Sequence, residues 1–221
     1  MSKTKKQRLP EKKSNHTLVY AGASVLVIAA FVLYFYAAPQ ETPVEKVPTT
    51  GEYVKLNLTS TYEPGKIKII EFMKFDCSHC YEFHKNLPDI VKKYGNNVTI
   101  TYVPIVWKGQ STKSIEAYII AEQMGKGVEM QDALFDTEWV KKMDVMESVQ
   151  TLENVASSIG LGSDFNSKLE GNYARDAALA NLGNMSKYSV EGTPTIIING
   201  NLQVKIPTAT NLDMAISSLL S

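Results

Sequence analysis

The two cysteines of this 221-residue chain lie close together, as Cys77-Ser78-His79-Cys80. They directly follow Ile67 to Phe75, an apolar and β-branched segment that predicts a buried strand. The residues after them carry apolar side chains at roughly helical spacing, which predicts a helix that begins at the cysteines with Asp76 as its cap. A buried strand that leads into a helix at a Cys-x-x-Cys pair is compatible with few folds and favours thiol redox chemistry.

The positions of the two cysteines predict different roles for them. Residues i and i+3 of a helix are close enough to form a disulfide. At the helix start, Cys77 meets unpaired backbone N–H groups and the positive end of the helix dipole, and both stabilise a thiolate. Cys80 lies one turn deeper and is more shielded. His79 is expected to favour the Cys77 thiolate further, which would make the disulfide more oxidising.

Two other uses of the cysteine pair remain open at this point. The pair could be a structural disulfide, although so small a loop constrains the unfolded chain little. It could also bind a metal together with His84, although a closed zinc site usually needs four ligands and the chain has no second cysteine pair. Redox exchange is the better interpretation, and we predict neither a metal nor a cofactor.

The following segment predicts an α/β domain that contains a helical insertion. The helix after the cysteines should be kinked at Pro88 and should end at Gly95. Val98 to Val106 predicts a second strand, and the strand–helix–strand order suits a right-handed crossover. Residues from about 111 to 188 have helical patterns throughout, which is too long for one crossover and predicts a helical subdomain.

The C-terminal segment predicts a hairpin and a last helix. Thr195 to Ile198 should be a strand, and Asn199-Gly200 is a strong signal for a hairpin turn. Leu202 to Ile206 would be the returning strand. Asn211 is expected to cap the final helix.

The N-terminal region predicts a membrane anchor. Residues 18–38 are 21 residues without a charge, enough for a helix to cross about 30 Å of hydrocarbon. Residues 1–17 hold six basic residues and one acidic residue, so the positive-inside rule predicts a cytoplasmic tail there and an extracytoplasmic remainder. A cleaved signal peptide is the alternative, and it would also export the domain. Residues 39–51, with three prolines, predict an extended linker, and residues 52–221 predict the folded domain.

The distribution of charge argues against nucleic acid as a partner. The formal net charge is zero, but the N-terminal basic cluster makes residues 1–38 net positive. The remainder is therefore mildly acidic. A domain of that charge lacks the basic face that nucleic-acid-binding proteins carry.

Two segments, IIEFMKFDCSHCYEF and VEGTPTIIINGN, resemble those of the DsbA family, whose members are thioredoxin-fold enzymes with an inserted helical domain. The segment IIEFMKFDCSHCYEF is similar to the active-site strand and helix of that family. The segment VEGTPTIIINGN is similar to the second signature of the family, a loop with a cis-proline followed by a strand. The likeness covers roughly residues 52–221, with both motifs in the family's order. It implies an α/β, thioredoxin-like fold with an inserted helical subdomain.

The resemblance also implies roles for individual residues. Cys77 would be the nucleophile and Cys80 the resolving cysteine. Pro194 would be cis and would face the disulfide, and the backbone of Thr193 would pair with the substrate chain as a short added strand. Glu71 would be a buried acid with a raised pKa that exchanges a proton with Cys80.

Ser78 departs from the family pattern, because many members have proline at this position. Its hydroxyl or N–H can reach the Cys77 sulfur, so we expect it to affect the reduction potential. We also expect Ser78 to contact the substrate, together with Thr193 and Pro194.

The sequence thus predicts an enzyme that exchanges the Cys77–Cys80 disulfide with cysteines of exported proteins, and it favours an oxidase. The expected partners are those cysteine-containing proteins and a membrane redox partner that reoxidises the dithiol. A reductase or isomerase would use the same residues with the opposite electron flow. A metal-binding or chaperone module is the third hypothesis.

Overall fold

A five-stranded mixed sheet forms the centre of the structure, a computed structural model that describes residues 45–221. The strands are β1 (Tyr53–Lys55), β2 (Ile67–Met73), β3 (Val98–Pro104), β4 (Thr195–Ile198) and β5 (Leu202–Val204). They are arranged in the order β1–β5–β4–β2–β3. Strands β2 and β3 are parallel, and the other neighbouring pairs are antiparallel.

Residues 45–221 also form seven α-helices. They are α1 (Ser78–Tyr94), α2 (Lys113–Gln123), α3 (Gly127–Trp139), α4 (Val149–Ser158), α5 (Ser163–Glu170), α6 (Arg175–Lys187) and α7 (Ala209–Leu220), and a short 3₁₀ helix, Gly95–Asn97, follows α1. Helices α2 to α6 lie between β3 and β4 in the chain. This order confirms the predicted α/β fold with a helical insertion.

The two faces of the sheet are covered by different apolar clusters. Ile67 and Ile69 of β2 belong to the cluster formed with α1 and α7, whereas Phe72 belongs to the cluster on the opposite face. Side chains alternate between the faces of a strand. Glu71 and Met73 therefore lie on the same face as Ile69, beneath α1.

Helix α1 buries one side against the sheet because its apolar residues recur every three or four positions. The buried residues are Cys80, Phe83, Leu87 and Ile90. The helix continues through Pro88 and ends at Gly95, whose φ of 52° lies in the left-handed region that favours glycine. Cys80 also belongs to the core of the helical insertion, so α1 joins the two parts of the domain.

Two helix caps differ from the sequence prediction. Cys77, rather than Asp76, is the N-cap of α1, because its Sγ accepts a hydrogen bond from the N–H of Cys80. The Asp76 carboxylate instead pairs with a lysine two residues before it. Thr208, rather than Asn211, caps α7, since the Thr208 hydroxyl accepts a hydrogen bond from the N–H of Asn211.

Three strands are shorter than predicted. Strands β2, β3 and β5 end at Met73, Pro104 and Val204, two residues before the predicted ends. Phe75 and Val106 are buried although they lie outside the sheet, and because they are apolar the sequence analysis included them in the predicted strands. The sequence analysis also did not predict β1, which has three residues and pairs with β5.

Part of the predicted linker is held by the folded domain. The N–H of Thr49 donates to the Ser218 hydroxyl of α7 at 2.8 Å, and the Glu45 carboxylate forms an ion pair with Lys55 at 2.7 Å. Gly51 has a φ of 87°, and a Cβ there would lie 3.1 Å from the backbone oxygen of Asn211. The folded unit therefore includes residues 45–51 rather than beginning near residue 52.

The predicted basic tail, the membrane anchor and the first part of the linker, residues 39–44, lie outside the described residues. Within residues 45–221, none of the helices is long and apolar enough to span a membrane. The anchor prediction is therefore addressed below as a proposal.

Candidate active site

Cys77 and Cys80 lie where β2 passes into α1. A turn connects the two elements, and in it the N–H of Cys77 donates to the carbonyl oxygen of Lys74 at 3.3 Å. Cys77 is half-buried, whereas Cys80 is completely buried. The backbone nitrogen of Cys80 lies 3.3 Å from Sγ of Cys77. The two thiols are free, so the structure represents the reduced state.

The first cysteine is strongly acidic. Its pKa is lowered to about 5, mainly by a hydrogen bond from the Cys80 thiol. The side chain of Thr193 and the backbone N–H groups of Cys80 and His79 lower the pKa further, whereas burial opposes them. Cys77 is therefore a thiolate at neutral pH. The thiolate is the form of cysteine that attacks disulfides.

The second cysteine has the opposite property. Burial, followed by the hydrogen bond to Cys77, raises the pKa of Cys80 far above that of an ordinary thiol. Cys80 therefore keeps its proton and donates it toward the Cys77 sulfur. This contrast makes Cys77 the acidic, accessible thiol and Cys80 the shielded neutral thiol of the pair.

A cis peptide bond joins Thr193 and Pro194, directly before β4, as the resemblance implies. Pro194 is buried. The carbonyl oxygen of Thr193 lies 3.3 Å from Sγ of Cys77, so it can accept a hydrogen bond from the thiol but not from the thiolate. The cis-proline loop and the cysteines, more than a hundred residues apart in sequence, thus form one site.

Glu71 lies beneath this site and is 2% exposed. Its neighbours in the sheet are Tyr102 of β3 and Ile196 of β4. Its Oε2 atom is buried and has no hydrogen-bond partner among residues 45–221. Burial, and secondarily the charge of Cys77, raises the pKa of Glu71 to about 8. The carboxyl is therefore a neutral acid at pH 7 and can donate a proton.

Comparison with known proteins places this arrangement in a family. A family model described as Thioredoxin matches residues 63–218. The chain belongs to this thioredoxin family. Both cysteines and the Thr193–Pro194 bond lie within the matched region.

Similar proteins carry names that describe thiol–disulfide interchange. The thiol:disulfide interchange protein DsbA of Pseudomonas syringae pv. tomato is 24% identical over 188 residues, which are 84% of this chain and 87% of that protein. The protein of the same name from Burkholderia cepacia is 25% identical over 153 residues, which are 66% of this chain and 69% of that protein.

Solved structures show the same fold. The oxidoreductase DsbA from Xylella fastidiosa superposes with a TM-score of 0.65 at 24% identity and covers 79% of this chain and 96% of its own. DsbA from Pseudomonas aeruginosa superposes with a TM-score of 0.63 at 19% identity, over 77% and 91%. With an acidic cysteine paired to a shielded one at this position, the thioredoxin-family chain is a DsbA-like thiol–disulfide oxidoreductase.

The two residues between the cysteines are exposed. Ser78 and His79 lie in the first turn of α1 and face solvent. The contribution of His79 to the low Cys77 pKa comes through its backbone N–H. A role for its imidazole, and a role for the Ser78 side chain, remain predictions.

A groove in this thioredoxin-family domain opens beside the cysteines. Its volume is about 480 Å³. It is lined by α1, the cis-proline loop and the start of α7, through His79, Glu82, Phe83, Asn86, Thr193, Pro194, Pro207, Thr208, Ala209 and Thr210. The lining of the groove is thus both polar and apolar.

His84, considered above as a metal ligand, lies on the other side of α1. Its Nε2 lies 2.8 Å from the Asp132 carboxylate of α3, and its ring packs on Phe135 with centroids 4.8 Å apart. Burial is the main cause that lowers the pKa of His84. Among residues 45–221, no group of three or more His, Cys, Asp or Glu side chains is arranged to hold a metal ion.

Sequence reasoning did not identify three residues that shape the site. Tyr102 is the polar neighbour of Glu71 in the sheet, and burial and the charge of Glu71 raise the pKa of its phenol. Trp139 of α3 donates from its indole nitrogen to the carbonyl oxygen of Phe75 at 2.8 Å. Lys74 is buried beside the cysteine turn. Pairing register and tertiary contact, which single-residue patterns do not contain, bring these residues to the site.

Proposed function

We propose that this chain is a membrane-tethered dithiol oxidase whose extracytoplasmic domain transfers the Cys77–Cys80 disulfide to exported proteins. The observation that carries the proposal is the low pKa of Cys77. A stabilised thiolate lowers the free energy of the reduced enzyme and leaves the disulfide form unchanged. The disulfide therefore tends to accept electrons, which is the property of an oxidase.

The first chemical step would be attack by a substrate thiolate on Sγ of Cys77. The Cys77–Cys80 bond breaks, a mixed disulfide forms at Cys77, and the electron pair passes to the Cys80 sulfur. Because the thiolate of Cys80 is disfavoured, that sulfur needs a proton. Glu71 is protonated at neutral pH and lies beneath the same helix, so it is the proposed donor, directly or through a water.

In the second step, another thiolate of the substrate would attack the substrate sulfur of the mixed disulfide. The bond to Cys77 breaks and Cys77 leaves as a thiolate, which at its low pKa requires no proton. The substrate has then lost two electrons and gained a disulfide, and the enzyme holds the Cys77 thiolate and the Cys80 thiol. A less acidic thiol would leave more slowly. The low pKa of Cys77 therefore favours both the oxidising equilibrium and the release of the substrate.

The proposed substrate contacts follow from the groove beside Cys77. The backbone of Thr193 lies at the edge of the site, where an extended peptide can pair with it as an added strand. Pro194 and the exposed Ser78 would flank the reacting sulfur on two sides. Contacts of this kind with the main chain suit an enzyme that accepts many unfolded substrates.

Reoxidation would require a membrane partner that accepts two electrons from Cys77 and Cys80, while the Cys80 thiol gives up its proton and Cys77 is already a thiolate. The uncharged segment of residues 18–38 and the basic residues before it support an anchor that keeps the domain near such a partner. In cell fractionation, the full chain should remain with membranes after washing with high salt and carbonate. Release by carbonate, or a mature N-terminus after residue 38, would contradict the anchor without affecting the redox proposal.

The direction of electron flow is tested with the oxidised enzyme and a reduced, unfolded protein whose native state contains disulfides. In stoichiometric mixtures we expect the substrate to lose two thiols per enzyme, counted with a thiol reagent. The Cys77→Ala variant should leave the substrate thiols unchanged. If the oxidised enzyme leaves the substrate reduced, while the reduced enzyme cleaves substrate disulfides, the chain is a reductase or isomerase.

A further inference from the structure

Lys74 is a buried cation next to the redox pair. It directly follows β2, and its side chain is 6% exposed. Its carbonyl oxygen accepts the hydrogen bond from the N–H of Cys77, so the two residues are the first and last of one turn. In such a turn their Cα atoms lie within about 7 Å of each other. An aliphatic amine is rarely buried this completely unless an anion compensates it.

The compensating anion is Asp76, which lies on the same turn. Its carboxylate oxygens are 3.2 Å from Nζ of Lys74, and its side chain is 29% exposed. Lys74 forms no other ion pair within residues 45–221. The ring of Trp107 closes the other side, with its centroid 5.8 Å from Nζ.

The charge of Asp76 acts on its surroundings. It contributes to raising the pKa of Glu138 on α3, although burial and the charge of Asp144 contribute more. Asp76 directly precedes Cys77 in the chain, and the carbonyl oxygen of Lys74 accepts the N–H of Cys77, so both charges belong to the turn that carries the sulfur. A carboxylate at this position opposes a thiolate unless a cation balances it.

We propose that the Lys74–Asp76 ion pair is a positioning element that adjusts the reduction potential of the Cys77–Cys80 disulfide. In the intact pair the two charges largely cancel at the Cys77 sulfur. The hydrogen bonds from Cys80 and from the helix start can then stabilise the thiolate without opposition from Asp76. The inference rests on the proposed use of Cys77–Cys80 as the redox pair.

Changes to the two members of the pair should have opposite signs. Lys74→Met leaves the Asp76 anion unbalanced, so the Cys77 pKa should rise. Asp76→Asn leaves the Lys74 cation unbalanced, so the Cys77 pKa should fall. For partly screened unit charges on the turn that carries the sulfur, each change should be about half a pKa unit. The double variant should return close to the wild-type value.

The experiment measures thiolate absorbance against pH and equilibration with glutathione for the wild type, both single variants and the double variant. A half-unit rise in the Cys77 pKa corresponds to about a threefold change in the exchange equilibrium, or about 15 mV. Lys74→Met should therefore be less oxidising than the wild type, and Asp76→Asn more oxidising. Lys74→Arg, which keeps the cation, should restore the wild-type potential.

Lys126→Met is the matched control, because it removes an exposed lysine from a distant ion pair with Glu129 at 2.9 Å. It should leave both quantities unchanged. Thermal melting shows whether each variant is folded, and if Lys74→Met does not fold, Asp76→Asn and Lys74→Arg still carry the test. The inference is wrong if folded variants keep the wild-type pKa and potential, or if both single variants shift in the same direction. Failure of wild-type enzyme to exchange with glutathione would instead contradict the proposed function.

Discussion

The Sγ atom of Cys77 caps the helix that carries Cys80, because it accepts the N–H of Cys80 at 3.3 Å. The acidic thiol of the pair is thus also part of the helix start. A thiolate accepts hydrogen bonds more strongly than the neutral sulfur of a disulfide does. Reduction should therefore strengthen this cap, and oxidation should weaken it.

We predict that the reduced protein gains stability relative to the oxidised protein as pH rises. The pKa of Cys77 is about 5 in the folded state, against about 8.5 for an unfolded thiol. As pH rises, the folded chain therefore releases the Cys77 proton at a lower pH than the unfolded chain does. The resulting stabilisation of the folded state is complete above about pH 8.5 and is lost as pH falls through 5. Between those values the difference in unfolding free energy should rise by at most about 1.4 kcal/mol per pH unit. Melting temperatures of both redox states from pH 4 to 9 check this, and a constant difference would contradict it.

Variants that lack Cys77 or Cys80 should differ in how much mixed disulfide with substrate they accumulate. We predict that Cys80→Ala accumulates mixed disulfides with substrate proteins, since the Cys77 thiolate remains and no thiol in the enzyme resolves the adduct. Cys77→Ala should trap little, because Cys80 is buried and keeps its proton. Non-reducing gels followed by mass spectrometry measure the adducts. Equal trapping by the two variants would contradict the assignment of the nucleophile.

Glu71 should destabilise the folded protein increasingly as pH rises. Its pKa is about 8 when folded and about 4.5 when unfolded, so between these values the unfolded chain releases a proton that the folded chain retains. Its favourable contribution is thus complete below pH 4.5 and lost as pH rises to 8, at up to about 1.4 kcal/mol per unit. Glu71→Gln, which keeps the shape, should exceed the wild type in stability by a margin that grows up to pH 8.

Denaturant unfolding of the reduced forms at several pH values measures this margin, because the Cys77 charge that contributes to the Glu71 pKa is then present in both proteins. In rapid mixing, Glu71→Gln should also release Cys80 more slowly during reduction by a dithiol. Parallel pH dependences for wild type and variant would show that Glu71 is ionised in the folded state, which would contradict its role as a proton donor.

His79 should have a smaller effect on Cys77 than its position between the cysteines suggests. Its side chain is exposed, and the N–H that contributes to the low pKa of Cys77 is retained in His79→Ala. We predict that this substitution raises the Cys77 pKa by less than about one unit, and that the difference shrinks at high salt because solvent ions screen an exposed charge. Thiolate absorbance at low and high salt measures it. A rise of several units, unaffected by salt, would be inconsistent with this geometry.

The sequence was sufficient to predict the parts of the site that local patterns encode. The strand before Cys77, the helix after it and the strand after Pro194 each have a distinctive run of residues. The end of α1 at Gly95 was predictable because few other residues adopt its conformation. The cis bond at Pro194 was implied by the family resemblance, and local sequence alone would not have indicated it.

Features that depend on tertiary contact were not predictable. Lys74 would ordinarily be assigned to the surface, and its burial depends on Asp76 and on the distant Trp107. The position of Tyr102 beside Glu71 follows from the strand register. The caps at Cys77 and Thr208 were missed because Asp76 and Asn211 are better capping residues by type than cysteine and threonine.

The reduction potential of the Cys77–Cys80 pair tests the account most directly. The wild-type domain would be equilibrated in glutathione buffers of graded ratio, and the reduced fraction determined by alkylation and mass spectrometry. The low pKa of Cys77 predicts a potential more positive than about −180 mV, the value of disulfide isomerases. A potential near about −270 mV, as in reducing thioredoxins, would contradict the proposed oxidase.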